Sequence, residues 1–163
     1  MDPDILQMKK IESEVEKMLV IKYPLSWNVA KRLRIGDKVK YSGKIVYLSY
    51  KALLRMENYM KLEGRYPYDI AGEVVFVKES SPIFLESVYK LGASGVLKES
   101  NLGISEETKK IISRFERPLF ETGKVEGQEI VKLYSDLGEE ALKEIWVNSL
   151  EMEVIASCRG DKS

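Results

Sequence analysis

A chain of 163 residues, 44% hydrophobic and 32% charged, is long enough for one domain with a substantial core plus an appendage. Its 26 basic and 26 acidic side chains cancel, so no overall field draws it to nucleic acid or anionic lipid. One cysteine, Cys158, and no histidine exclude an intramolecular disulfide, a Cys/His zinc site, an iron–sulfur cluster held wholly by this chain, and Ser-His-Asp or Cys-His catalysis.

In chain order, residues 3–21 carry Ile5, Met8, Val15, Met18 and Leu19 at helical spacing behind Asp2 and Pro3, so an N-terminal amphipathic helix is expected. That opening is too charged for a secretory signal, and no apolar run approaches the roughly 20 residues that span a bilayer, so a cytoplasmic protein is expected. Pro24 and Ser26 then mark a turn before a short helical segment near residues 26–33. From Lys38 the pattern alternates. Val39, Tyr41, Ile45 and Tyr47 share one face and Lys38, Lys40, Ser42 and Lys44 a solvated one, with a bulge predicted at Gly43. Ser49 is placed to cap a helix whose stripe is Ala52, Leu53, Met56, Tyr59 and Met60, ending near Gly64.

The run AGEVVFVKE reads as a strand buried on both faces, and Ser81-Pro82 opens a helix that Gly92 closes. SGVL is a short strand and SEETKKIISRF a helix with two glutamates in its first turn. RPLF, QEIVKLY and EIWVNSLEMEVIAS are further strands, with a short helix over LGEEALKE. The alternation predicts an α/β fold with a mixed or parallel sheet and packed helices, residues 1–21 forming the appendage and 22–163 the domain.

With those elements placed, the chain resembles the C-terminal domain, or β subunit, of the class I fumarate hydratase and L(+)-tartrate dehydratase family. The segments PLSWNVAKRLRIGDKVKYSGKIVY, LEGRYPYDIAGEVVFV, YKLGASGVL and YSDLGEEALKEIWV are similar, in order, to that family's motifs. The resemblance implies a swivelling β/β/α domain that closes over a dicarboxylate. A [4Fe–4S] cluster on an α-type partner would act as Lewis acid in reversible loss of water. None of that cofactor would be bound by this chain, and neither nucleic acid nor membrane is an expected partner; a homodimer is the alternative assembly.

The family motif x-x-R-D-x-A-H-x-R falls on the start of the capped helix. Here Ser49, Tyr50 and Leu53 stand where Arg, Asp and His are expected, while Ala52 and Arg55 match. The glycine-rich, carboxylate-binding segment is absent apart from Ser80 and Ser81, and the lysine of a G-K-G element has only Lys98 as counterpart. Arg55, Lys98, Ser80 and Ser81 are therefore the candidate substrate-binding residues. Their plainer readings are a solvent-facing helix arginine, a loop lysine and an ordinary helix cap. For Cys158 the plainer reading is an inert small residue. Losses confined to ligand-facing loops allow a second function, a catalytically inactive descendant serving as an interaction or regulatory module.

Overall fold

The computed structural model describes residues 18–79, 81–99 and 104–159. The expected N-terminal helix lies largely outside them, and its predicted end is overturned: Met18–Lys22 is a strand, β1, paired in parallel with β2 (Lys38–Tyr47). Met18, Leu19, Val20 and Ile21 fit a helical stripe over a short window. Alternating burial of Leu19 and Ile21 beneath the sheet decides for the strand.

After β1 come α1 (Trp27–Ala30), β2, α2 (Tyr50–Glu63), β3 (Val74–Val77), α3 (Pro82–Lys90), β4 (Gly95–Lys98), α4 (Glu106–Phe115), β5 (Leu119–Glu121), β6 (Gln128–Leu133) and β7 (Leu142–Ala156). The helix expected over LGEEALKE is instead a 3-10 segment, Ser135–Glu140, kinked at Gly138; Leu142 and Lys143 already belong to β7.

Among the described residues the strands form one seven-stranded sheet ordered β1-β2-β3-β4-β5-β7-β6. An additional β2–β7 pairing closes β2, β3, β4, β5 and β7 into a five-stranded barrel. β2 to β5 run parallel, and β7 runs antiparallel to β2, β5 and β6. The fold is thus mixed α/β, as the element order predicts, and its sheet is closed, a feature on which the sequence is silent.

Two cores follow from the two faces. On β3, Val74 and Phe76 point into the barrel with Val39, Tyr41, Ile45 and Leu97, while Val75 and Val77 pack outward against Leu53, Met56, Phe84 and Ile112 of the helices. That is why β3 reads as an unbroken apolar run. In β2 the predicted bulge lies between Tyr41 and Gly43. Gly43 has φ 133°, and a Cβ there would sit 2.2 Å from that of Tyr23, so only glycine fits. α2 ends as predicted on Gly64, left-handed at φ 79°.

Candidate functional site

The carboxyl ends of β2, β3, β4 and β5 share one edge of the barrel, the place where α/β sheets generally bind ligands. Helices α2, α3 and α4 start there. In each, a serine oxygen accepts the N–H three residues on: Ser49 from Ala52 at 3.0 Å, Ser81 from Phe84 at 3.4 Å and Ser105 from Thr108 at 3.1 Å. These are caps, and Ser49 also donates its hydroxyl to the Glu140 carbonyl at 2.6 Å. Ser80 lies outside the described residues.

Lys98 ends β4. The sequence reads it as a loop lysine, but it is a strand residue only 2% exposed, on the barrel's outer face with Val96. Its Nζ lies 3.8 Å from the Glu121 carboxylate at the end of β5. Such burial is rare for lysine without charge compensation. Arg55 stands away from this pair in the second turn of α2. Its guanidinium holds Asp136 through both carboxylate oxygens, at 2.9 and 2.8 Å, fastening the 3-10 segment to α2. Leu53, where the family has histidine, is 1% exposed in the outer core. Tyr50 leans on Phe84, ring centroids 5.7 Å apart. Ser81 and Lys98 thus share an edge, whereas Arg55, still 43% exposed, is engaged by Asp136.

At the same edge the barrel mouth opens into a cleft of about 90 Å³, lined by Tyr47, Phe76, Lys78, Glu99, Lys143 and neighbours on the β5–β6 loop. Lys143, 7% exposed, pairs with Glu129 at 3.2 Å and Glu139 at 3.3 Å. Burial alone would lower its pKa, but these hydrogen bonds outweigh it and hold the ammonium above the ordinary lysine range. Tyr47 carries Lys78 and Lys143 against its ring at 5.5 and 5.9 Å, and burial followed by the Glu140 charge raises its phenol. Neither shift moves toward neutrality, so neither group is tuned to move protons near pH 7.

A second polar cluster lies along β2 and was missed in the sequence. Lys44, assigned there to a solvated face, is largely buried between Glu73 at 3.1 Å and Glu144 at 3.7 Å. Tyr23 and Tyr68 donate to those carboxylates, leaving one buried Glu73 oxygen without a hydrogen-bond partner. Lys38 and Lys40 stand opposite Glu153 and Glu151 in the ladder. No local pattern signals this, because Glu73, just before β3, and Glu144, on β7, reach Lys44 from remote parts of the chain.

A [4Fe–4S] cluster does not fit this chain: its one sulfur donor, Cys158, is directed at the Lys31 carbonyl 3.7 Å away. Among the described residues no group of three or more His, Cys, Asp or Glu is placed to hold a metal ion. Nor is any described helix long and apolar enough to cross a membrane. Compared with protein-family models and with curated proteins, the chain matches none.

Proposed function

We propose that this chain is a swivelling β/β/α domain descended from the β-type component of class I fumarate hydratases and L(+)-tartrate dehydratases, and that it now serves as a non-catalytic interaction module. One observation carries the reading. Four described positions that would hold substrate in such a component are otherwise engaged: Ser49 and Ser81 cap helices, Leu53 fills the core and Arg55 pairs with Asp136. Binding a dianion requires guanidinium or ammonium groups open to it, whereas Arg55 is engaged by Asp136 and Lys98 is buried beside Glu121.

A second reading is favoured by Lys98, which ends β4 at the ligand-binding edge. In it the chain is a working β-type subunit of an iron–sulfur hydro-lyase acting on a small hydroxy dicarboxylate. An α-type partner holds the [4Fe–4S] cluster, and Lys98 contributes the charge that meets the substrate. The test is anaerobic co-expression with a cluster-bearing α-type chain, followed by assays of fumarate hydration and of malate and tartrate dehydration. The module reading expects no turnover that depends on this chain. Turnover that requires it and falls at least tenfold in Lys98→Met would replace that reading with the second.

A further inference from the structure

At the opposite end of the barrel the charges are arranged differently. The turn after α1 carries Lys31, Arg32 and Arg34. Arg159 joins it from the C-terminal turn, its Nε donating to the Lys31 carbonyl at 3.1 Å. Arg117, on the turn between α4 and β5, reaches the same place. Its guanidinium lies 5.5 Å from the Trp27 ring centroid, and Lys31 Nζ lies over the same ring at 4.1 Å. Trp27 is 45% exposed and holds both cations at the surface.

Among the described residues, no side-chain ion pair is made by Lys31, Arg32, Arg34, Arg117 or Arg159, although the Arg34 backbone N–H donates to the Asp37 carboxylate at 2.8 Å and ion pairs are frequent elsewhere in the molecule. Arg117 bears the cost. Its Nε is buried without a hydrogen-bond acceptor, and burial pulls its pKa below the ordinary arginine range, with Glu116 and Tyr89 acting against that only through space.

We infer that this basic end is the docking surface for an acidic segment of a partner protein, whose carboxylates pair with the arginine forks around Trp27. The cations come from separated turns, which suits an extended anionic segment better than a small molecule held at one point. Arginine predominates, as bidentate carboxylate recognition favours. Nucleic acid is the poorer occupant because the cations that already lie against Trp27 occupy the ring face on which a base would stack. The inference rests on the interaction-module reading and supplies the chemistry of its partner.

The test measures fluorescence anisotropy of a labelled decaglutamate peptide and of a labelled single-stranded RNA decamer with the full chain at low salt. Arg32→Glu and Arg34→Glu are compared with Lys61→Glu, an equal charge change on exposed α2; circular dichroism confirms that each variant is folded. The peptide is expected to bind more tightly than the RNA and to lose affinity as salt rises. At least tenfold is expected to be lost in either arginine variant and less than twofold in Lys61→Glu. Absence of peptide binding, equal losses in all variants, or tighter RNA binding overturns the proposal. These outcomes are independent of hydro-lyase turnover, so failure of either reading can be told from failure of the other.

Discussion

The two ends of the barrel carry similar residue types in opposite electrostatic states. At the carboxyl edge Lys51, Arg55, Lys98, Lys124 and Lys143 each meet a carboxylate, and Lys78 rests on Tyr47. At the amino end the side chains of Lys31, Arg32, Arg34, Arg117 and Arg159 form no ion pair among the described residues, and the Asp37 carboxylate there is met by the Arg34 backbone N–H. Topology makes the first end look like a ligand site, whereas charge leaves binding capacity at the second. Position in a fold and availability of chemistry are separate properties, and here they have come apart.

Changes that disturb the buried side of this comparison should cost most. Restoring the family's imidazole with Leu53→His places a polar ring in a packed core, and a loss above about 3 kcal/mol is expected in urea unfolding. A near-neutral result would mean that the position can still open toward the edge. Lys44→Met leaves Glu73 and Glu144 without their shared cation, for a loss of about 2–3 kcal/mol. Adding Glu73→Gln should recover part of that loss, and strict additivity in the cycle would show that the pair is not coupled.

The same cluster sets a pH dependence. Burial raises the Glu144 pKa, but hydrogen bonding from Tyr68 and the charges of Lys44 and Lys132 outweigh it, so the carboxyl is held below 4.5. Its contribution is complete above pH 4.5 and is lost as pH falls through the lower folded value. For Lys44, burial lowers the pKa but the Glu73 hydrogen bond and charge outweigh it, and the net shift is upward from 10.5. Its contribution is complete below that value and is lost as pH rises through the higher folded one. Stability measured against pH should show a plateau between these limits, and Glu144→Gln should flatten its acid side.

The amino end should respond in the opposite sense. Arg32→Gln removes one of three cations on the same short turn, so stability should rise by about 0.3 kcal/mol at low salt and by nothing in about 1 M salt. A loss would reveal a partner for Arg32. The smallest effect is expected from Arg55→Ala, whose exposed pair with Asp136 is solvent-screened. Its thermal midpoint should match the parent within scatter, and a clear drop would make the 3-10 segment a stability element.

Local signals were legible in the sequence, and long-range ones were not. Ser49, Gly64 and the Gly43 bulge were readable because caps, left-handed ends and bulges are set by residues a few positions apart. Closure was not, since β7 must pair with both β2 and β5, and strand alternation does not name the partner. Residues 18–21 read as the end of a helix because a short apolar segment satisfies both periods until a neighbouring strand selects one. For the site, the sequence located Ser81 and Lys98 at what proved to be one edge. It did not reveal the burial of Lys98 and Lys44, or the meeting of Trp27, Arg117 and Arg159, all of which tertiary contacts create.

The account is tested most directly by one amide NMR experiment in which the full chain is titrated first with fumarate and then with decaglutamate. It predicts no shifts at Tyr47, Ser81 or Lys98 with fumarate, followed by saturable shifts at Trp27, Arg32, Arg34 and Arg159 with the peptide. Saturable fumarate shifts at Ser81 and Lys98, with a silent amino end, would contradict it.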